Sequence, residues 1–379
     1  MRKTLLGLGS VAALTLASVA CSDDSDGAPA GGVGTTEDAG GSTVVDGGNG
    51  GPGTAGLTWT KGTITGANAA MIGGIKSMAF GGGKWVAIAT AAEGGIVGKF
   101  GFALTSSDGK AWTQSFAFPL NYRLDNIAYD GAEFVATGSG PKDGNPTAYS
   151  ARSSDGAAWT IEEVGGDSDG AVAIAFSGTT KVFTGLRGKV SVKAGAAAAT
   201  TFTTAFTGHS SFASCNIGTR VISVGQIDAA KDTDPAIVFA DDPSTAGGWK
   251  SITEPGGLVN RRGTRFYGIA CDEARSLAVG AGKDIWVSVD KGTTWTLGHP
   301  ESEGDSTTWQ RVVKAGSTYV IVGWKGAYGV TTDGADLTVG TLPSDRDFSS
   351  LATDGTIVVA GSGGQYNDRI TSEFYWAQP

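Results

Sequence analysis

The sequence predicts an all-β protein, a seven-bladed β-propeller that is closed by its own N-terminal strand. Three observations lead to this prediction. A unit of roughly 45 residues repeats from residue 57 onwards, a short turn motif recurs at that period, and an N-terminal strand matches one that the last unit lacks. Residues 57–379 number 323, and seven blades of about 45 residues need about 315.

The turn motif is clearest in Ser288–Trp295, which reads S-x-D-x-G-x-T-W. Ser and Asp side chains bond the backbone of their own turn, and Gly adopts the positive φ that tight turns need. The Trp begins the next strand and folds back over the turn, burying a large apolar surface. We call these segments the staple turns and expect each to be a self-contained local unit. The weaker copies are Ser106–Trp112, Ser153–Trp159 and Thr331–Leu337, the last without its Trp.

The staple turns resemble the Asp-box of sialidase-like (BNR-repeat) propellers. The resemblance covers residues 57–379 and implies the propeller fold. It implies no activity, because the sequence most resembles non-catalytic Asp-box propellers, which include many bacterial lipoproteins. A β-sandwich is the alternative fold, whereas WD40 and kelch arrays are disfavoured because their repeat signatures are missing.

Each unit is predicted to hold an alternating strand, an apolar strand that ends in Gly, a third strand, a staple turn and a Trp strand. The units start near Lys76, Asn126, Ala171, Phe212, Phe266, Gln310 and Ser349, and the third has lost its staple turn. The apolar second strands should pack blade against blade, with Val86, Val135, Val182, Val224, Val279, Ile321 and Val359 in the core.

The seventh unit has no Trp strand, because the sequence stops soon after Ile370–Trp376. Leu57–Lys61 reads Leu-Thr-Trp-Thr-Lys and matches the missing strand. We therefore expect this segment to pair beside Ile370–Trp376 and to close the ring, which removes strand edges that would otherwise be open.

Residues 1–20 read as a signal peptide. Arg2 and Lys3 form a charged start, Leu5–Leu16 is a short apolar run, and small residues precede Cys21. The pattern predicts a bacterial lipoprotein in which Cys21 is lipidated. Ser18 stands where such signals usually carry Leu, so secretion with an unmodified Cys21 is the alternative.

Residues 21–56 are predicted to be a disordered tether that starts at the lipidated cysteine. They are nearly all Gly, Ser, Thr, Ala, Pro and Asp, so they cannot bury enough apolar surface to offset the chain entropy. A flexible coil of this length reaches roughly 30–35 Å. We expect an exported protein held at the outer membrane or cell surface only by its lipid, since no later stretch has the ~20 apolar residues of a transmembrane helix.

The charge balance limits the possible partners. The formal net charge is −9, and removal of Arg2 and Lys3 with the signal peptide makes it −11. An acidic body without a Lys/Arg cluster disfavours nucleic acid and direct docking on anionic lipid. The expected partner is an envelope protein or a glycan, bound by a monomer.

Cys215 and Cys271 follow Cys21 in the sequence. An exported pair is compatible with a disulfide. However, Ala213-Ser214-Cys215 and Ile269-Ala270-Cys271 look like the same position of successive repeats, so their side chains should point in the same sense around the ring. This alignment favours two buried, unpaired thiols.

The candidate ligand site is one rim of the axial channel, where the connections into the innermost strands meet. Mixed charges and aromatic residues there suit a polar ligand such as a glycan, or a loop of a partner protein. No cofactor and no metal are expected, since His209 and His299 are the only histidines. The predicted ligand-binding residues are Tyr122, Arg123, Asp169, Arg262, Trp309 and Arg346.

A glycoside hydrolase or lyase that acts on extracellular polysaccharide is the first alternative function, and a purely structural envelope protein is the second. The Phe/Tyr-Arg-Ile-Pro motif of sialidases is absent, and Asn121–Asp125 is the nearest string. A glycosidase also needs two carboxylates about 5–10 Å apart. Asp167 or Asp169 with Asp345 or Asp347 are the candidates. Two facing carboxylates in a deep groove would favour the enzyme, and scattered carboxylates would favour binding.

Overall fold

The computed structural model describes residues 56–91, 101–167, 170–202, 205–206, 208–228, 233–252, 265–300, 308–363 and 372–379. The predicted signal peptide, Cys21 and nearly all of the predicted tether lie outside these residues. So do Asp169 and Arg262. No helix in the described part of the chain is long and apolar enough to cross a membrane.

The fold is the predicted seven-bladed β-propeller. Blades 2 to 6 are antiparallel sheets of four strands in chain order, whereas blade 7 takes its fourth strand from the N-terminal segment and blade 1 has a fifth strand. After β1 (Thr60–Lys61) and β2 (Thr63–Thr65), blades 1 and 2 consist of β3 (Ile72–Gly81), β4 (Lys84–Ala91), β5 (Gly101–Ser106), β6 (Ala111–Ala117), β7 (Arg123–Tyr129), β8 (Phe134–Lys142), β9 (Asn145–Ser153) and β10 (Thr160–Asp167). Blades 3 and 4 consist of β11 (Ala173–Ser177), β12 (Thr180–Thr184), β13 (Val190–Ala194), β14 (Thr200–Phe202), β15 (His209–Ile217), β16 (Arg220–Asp228), β17 (Thr233–Ala240) and β18 (Trp249–Ser251).

Blades 5 to 7 complete the ring. They consist of β19 (Phe266–Ala270), β20 (Ser276–Gly280), β21 (Ile285–Ser288), β22 (Thr296–His299), β23 (Trp309–Ala315), β24 (Thr318–Gly323), β25 (Ala327–Thr331), β26 (Thr338–Thr341), β27 (Phe348–Thr353), β28 (Val358–Ser362) and β29 (Phe374–Ala377). Short 3-10 turns lie at Ala69–Met71, Leu186–Gly188, Ala246–Gly248, Ala281–Lys283 and Trp324–Gly326.

The first strands of the blades lie innermost. Each contacts the first strand of the next blade, from β3 through β7, β11, β15, β19 and β23 to β27, and β27 contacts β3 again. We call the face at which the first strands begin the upper face. The connections between blades and those from second to third strands lie there, and the staple turns lie on the opposite, lower face.

The N-terminal strand closes the ring as predicted. Thr60 pairs with Trp376 and Lys61 with Tyr375, so β1 is the fourth strand of blade 7. Trp59, just before it, is buried and meets the ring of Tyr328 in blade 6 edge to face, at 5.7 Å between centroids. The chain then continues into β2, which pairs in parallel with β6 as a fifth strand of blade 1. One short segment therefore joins blades 7 and 1, and the second of these pairings was not predicted.

The core between blades is formed by the second strands. All seven predicted core residues are almost fully buried: Val86, Val135, Val182, Val224, Val279, Ile321 and Val359. Apolar clusters of buried side chains join each blade to the next. The prediction from the repeated apolar strands is confirmed.

The staple turns have the internal hydrogen bonds that the motif predicts. In blade 5 the Asp290 Oδ1 atom accepts the N–H groups of Thr293 and Thr294, and the Ser288 hydroxyl oxygen accepts the N–H of Gly292. The Trp295 indole N–H then donates to the Gly292 carbonyl. The turns of blades 1 and 2 repeat this set, and blade 6 does so with Thr331 in place of Ser and without a Trp.

The staple turns are not self-contained, however. A Cβ built on Gly292 would lie 2.3 Å from the Ile222 Cδ1 atom in blade 4, and one on Gly156 would lie 2.7 Å from Val86 in blade 1. Gly109 and Gly334 lie equally close to the preceding blade. Each of these turns therefore also fixes its blade to its neighbour.

Blade 3, which lacks a staple turn, is joined to blade 2 by charges instead. Lys181 binds Glu133 at 2.8 Å and Asp130 at 3.4 Å, with only 12% of its side chain exposed. Lys193 binds Glu162 at 2.6 Å. Burial alone would lower the pKa of Lys181, but the hydrogen bond to Glu133 and the two negative charges outweigh it and raise that pKa.

Cys215 and Cys271 form a disulfide, so the prediction of two unpaired thiols is wrong. Their Cα atoms are 5.8 Å apart, with Cys215 on β15 and Cys271 directly after the end of β19. Counted from the paired glycines Gly225 and Gly280, Cys215 is equivalent to Ala270 and not to Cys271. A shift of one residue turns a side chain to the other face of a strand, so the two cysteines point towards each other.

Candidate functional site

β3 has two β-bulges, at Gly73 and Lys76, and the second of them recurs in five other first strands. In each of these six strands one extra residue lies near the upper face. It forms a β-bulge, so the residue has no partner on the second strand. Each extra residue is half-buried, whereas the residue just before it is buried. The six bulge residues are Lys76, Asp125, Phe212, Tyr267, Gln310 and Ser349.

A glycine on the second strand makes room for the bulge. A Cβ on Gly138, Gly225, Gly280 or Gly323 would lie only 1.8–2.2 Å from the main-chain oxygen of the residue two positions before the bulge residue. None of the four has a positive φ, so glycine is needed for space and not for a left-handed backbone. This explains why the apolar second strands of the repeat end in Gly, and it is the sequence signal that could have located the bulges.

A cavity of about 530 Å³ opens on the upper face between blades 3 and 4. Its volume lies in the range of small-ligand sites, about 300–1,000 Å³. Its walls are formed by the connection that follows β12, by the start of β15 with the residues just before it, and by the end of β16. The lining residues are Leu186, Arg187, Gly208, Ser210, Phe212 and Gln226.

Arg187 is held in a left-handed conformation on the cavity wall, with φ 56° and ψ 32°. That conformation costs a non-glycine residue roughly 1–2 kcal/mol. The Arg187 N–H donates to the Ser210 hydroxyl oxygen at 3.1 Å. The next residue, Gly188, has no room for a Cβ, which would lie 2.1 Å from the Phe206 carbonyl oxygen. The loop is therefore fixed, and strained residues of this kind cluster at functional sites.

Blade 6 has the same loop with different chemistry. Lys325 has φ 54°, and its N–H donates to the Asp347 Oδ1 atom at 2.9 Å. Asp347 thus occupies the place of Ser210 and caps a loop. Lys325 does not line the cavity, so it provides a natural control for Arg187.

Phe212 lines one side of the cavity and is backed by a second aromatic ring. The rings of Phe212 and Tyr267, bulge residues of blades 4 and 5, are stacked with centroids 5.9 Å apart and 25° between their planes. The Arg265 guanidinium lies 5.8 Å from the Tyr267 ring centroid, within the range of a cation–π contact. Tyr267 does not line the cavity, so it backs the Phe212 ring.

A buried arginine holds Tyr267 in place from blade 6. The Arg311 Nη1 atom donates to the Tyr267 carbonyl at 2.7 Å and to the Gln310 carbonyl at 2.8 Å. Burial lowers the pKa of Arg311 to about 10, so it stays charged at neutral pH. The bulges of blades 5 and 6 are therefore linked.

Two of the six predicted ligand-binding residues lie together on the upper face at blades 1 and 2. Tyr122 packs edge to face on Tyr149, with centroids 5.1 Å apart. Arg123 is exposed and binds the bulge residue Asp125, with 2.9 Å between Nε and Oδ1. Both stay candidates for ligand contact.

The prediction for Trp309 is wrong. Its side chain is fully buried in the core between blades 5 and 6 and cannot reach a ligand on the rim. Arg346 is on the upper face near the closure, where its Nε atom lies 3.5 Å from Glu373. The structure does not bring Arg346 together with Tyr122 and Arg123. Asp169 and Arg262 lie outside the described residues.

The ring of seven four-stranded blades makes this chain a β-propeller, and comparisons with solved structures agree. It is similar to a streptogramin B lyase (TM-score 0.61, 10% identity, 85% of this chain and 98% of that one). It is also similar to the RRP9 WD40 repeats (0.58, 10%, 81% and 94%) and to the Pan2 WD40 domain of Neurospora crassa (0.52, 12%, 85% and 95%). These likenesses show the fold alone. No family model and no curated protein matches the chain.

Proposed function

We propose that this protein is an exported, lipid-anchored binding module that holds an envelope protein or a glycan at the upper face of its propeller. The observation that carries the proposal is the cavity beside Phe212, where a strained arginine and an aromatic pair are fixed by their surroundings. Preformed concave sites with aromatic walls and a few placed polar groups are the usual form of ligand sites. We also propose that the chain is related to Asp-box propellers. The hydrogen bonds within the staple turns support this relation.

The disulfide supports export. Disulfides persist in oxidising compartments and are rare in the cytosol. Cys215 and Cys271 join neighbouring first strands, which agrees with the signal pattern of residues 1–20. The proposal of a lipid anchor at Cys21 rests on the sequence pattern alone. We propose residues 57–379 as the folded domain.

The positions of the carboxylates favour a binding function over a glycosidase. None of the described residues that line the cavity is Asp or Glu. Asp125 pairs with Arg123, and Asp347 caps the Lys325 loop. The proposal therefore contains no catalytic step.

A crosslinking capture with the mature chain tests the binding proposal. Phe212→Ala should abolish capture of envelope components that the wild-type chain retains, while Phe176→Ala should not. Phe176 is also a half-buried phenylalanine on a first strand, in blade 3, but at the lower end. Equal loss with both variants, or no loss with either, would refute binding at the cavity.

A membrane fractionation tests the anchor separately. The wild-type chain should sediment with membranes and incorporate a labelled fatty acid, and Cys21→Ala should do neither. A wild-type chain that stays in the soluble fraction and takes up no label would show that the protein is secreted without a lipid anchor.

A further inference from the structure

We propose that Arg311 forms a binding site for a small oxyanion, a carboxylate or a phosphate group, beside the axis of the propeller. The site is separate from the cavity between blades 3 and 4 and does not rest on the function proposed above. Arg311 lies on β23, one of the innermost strands, directly after the bulge residue Gln310. The inference depends on how the guanidinium is held, which of its groups stay free, and which charges surround it.

The guanidinium is held through one of its three nitrogens. The Nη1 atom donates to the Tyr267 carbonyl in blade 5 and to the Gln310 carbonyl in its own blade. Gly268 lets the two blades come this close, since a Cβ there would lie 2.9 Å from the Arg311 Cα atom and 3.0 Å from the Gln310 carbonyl oxygen. The side chain is therefore oriented before any ligand binds.

The other edge of the guanidinium is free. Its Nε and Nη2 atoms have no hydrogen-bond partner among the described residues, and neither atom is sealed from solvent. The N–H of Nε and one N–H of Nη2 point the same way in the plane of the group. They form the fork that binds two oxygens of a carboxylate or a phosphate. The contacts that orient Arg311 thus leave its oxyanion-binding edge open.

No negative charge in the described part of the chain compensates Arg311. Other half-buried cations bind a carboxylate at 2.6–2.8 Å, as Lys181, Lys193 and Lys314 do. Burial lowers the pKa of Arg311 to about 10, and no neighbouring charge raises it again. A charge that is withdrawn from water without a partner is costly, and a bound anion would supply the partner.

Small side chains leave room for the anion. Arg311 is partly accessible to solvent although it lies on an innermost strand. Five other first strands have an equivalent residue, directly after the bulge, and none of these residues is charged or longer than asparagine. They are Ser77, Asn126, Ala213, Gly268 and Ser350. Arg311 is therefore the one charged side chain among these six positions.

The test observes the arginine Nε–H groups of the mature chain by NMR during titration with sodium phosphate or sodium acetate. Sodium chloride at the same ionic strength is the comparison. The Arg311 signal should shift in a saturable way with an oxyanion, with a dissociation constant at least about 10-fold below that for chloride, because a spherical ion cannot contact both ends of the fork as two oxygens do. The tighter of the two oxyanions identifies the source, a phosphate or a carboxylate.

Arg311→Lys assigns the signal by its loss. Through-space contacts to Tyr267 and Gln310 assign the same signal in the wild-type chain, so the titration does not depend on the folding of the variant. The tighter oxyanion should also raise the melting temperature of the wild-type chain above its value in chloride, and it should not do so for Arg311→Lys.

Arg275 is the matched control. It is also a half-buried arginine of blade 5, and its Nη1 atom donates to a main-chain carbonyl in blade 6, that of Thr332. Its Nε atom, however, is sealed from solvent. The Arg275 signal should therefore stay in place with all three salts, and Arg275→Lys should keep the gain in melting temperature.

Three results would overturn the inference: an Arg311 signal that no oxyanion moves, a response to chloride that equals the response to both oxyanions, or equal responses of Arg275 and Arg311. A gain in melting temperature that persists in Arg311→Lys would do so as well. Each of these results would leave the capture of envelope components through Phe212 untouched, so the two proposals fail separately.

Discussion

Gly292 of blade 5 lies directly against Ile222 of blade 4, so close that a Cβ on the glycine would come within 2.3 Å of the Ile222 Cδ1 atom. A turn stabilised by its own hydrogen bonds is thus also a contact between blades. The same relation joins blades 1, 2 and 6 to the blades before them.

Gly292→Ala should therefore destabilise the protein by about 3 kcal/mol, from left-handed strain of roughly 1–2 kcal/mol plus overpacking. Gly195→Ala is the control. Gly195 also has a positive φ, in the turn of blade 3, but a Cβ there meets nothing within 4 Å, so only the strain remains. Denaturant unfolding measures both. Ile222→Val, which removes the colliding methyl, should recover part of the loss in the double variant; a purely additive result would argue against the contact.

Loss of the disulfide should lower the free energy of unfolding by about 2–4 kcal/mol, because the bond closes a long loop with a sequence separation of 56. The unreduced mature protein should show no free thiol at Cys215 or Cys271 by thiol labelling and mass spectrometry. Cys215→Ala should destabilise about as much as the double variant that also carries Cys271→Ala. Two thiols that react before any reduction would contradict the bond.

Glu373 should make the ring closure sensitive to acid. It binds Lys61 on the closing strand and accepts the Ser344 hydroxyl hydrogen at 2.8 Å. Burial alone would raise the pKa of Glu373, but the hydrogen bonds from Lys61 and Ser344 and the charge of Arg346 lower it overall.

A carboxyl group whose pKa is lowered by folding stabilises the protein above its unfolded pKa, and this contribution is lost as pH falls through the folded pKa. Glu373→Gln should thus cost about 1–2 kcal/mol at pH 7 and flatten the decline of stability below about pH 4.5. Thermal melts of both proteins between pH 3 and 7 measure this. Parallel curves would show that Glu373 carries no acid sensitivity.

Lys181→Met should weaken the joint between blades 2 and 3 by about 1–2 kcal/mol, because it leaves Glu133 and Asp130 without their buried cation. The raised pKa of Lys181 means that this contribution is complete below its unfolded pKa and is lost as pH rises through its higher folded pKa.

Lys142→Met is the control for Lys181. Lys142 binds Glu163 with both side chains well exposed, so its loss should destabilise the protein much less than the loss of Lys181, and the effect should shrink further in 1 M salt. Urea unfolding at low and high salt compares the two. If the two substitutions destabilised the protein equally, the half-buried ion pairs of Lys181 would contribute no more than an exposed one.

The fold could be predicted because its signals are local and repeated. The spacing of the staple turns fixed the period, and Trp59 identified the missing strand. The disulfide was missed because Cys215 was aligned with Cys271 by residue similarity, whereas Gly225 and Gly280 give the true register one residue away.

The candidate site was harder to predict. Trp309 was assigned to the rim because it starts a first strand, but burial depends on which side of the bulge a residue lies. Phe212 and Tyr267 were seen only as strand residues, since their contact joins two blades 55 residues apart in sequence. No sequence pattern pointed to Arg187, because a left-handed φ at a non-glycine residue can be recognised only from the structure.

The bulges have a consequence for how such a protein can change. Second-strand glycines such as Gly138 and Gly280 set the backbone of the bulge, so the side chain at its tip is under little constraint from the scaffold. Lysine, aspartate, phenylalanine, tyrosine, glutamine and serine all occupy it here. A propeller of this type can therefore acquire a new specificity by exchanging one side chain at a time, while the architecture that presents it stays the same.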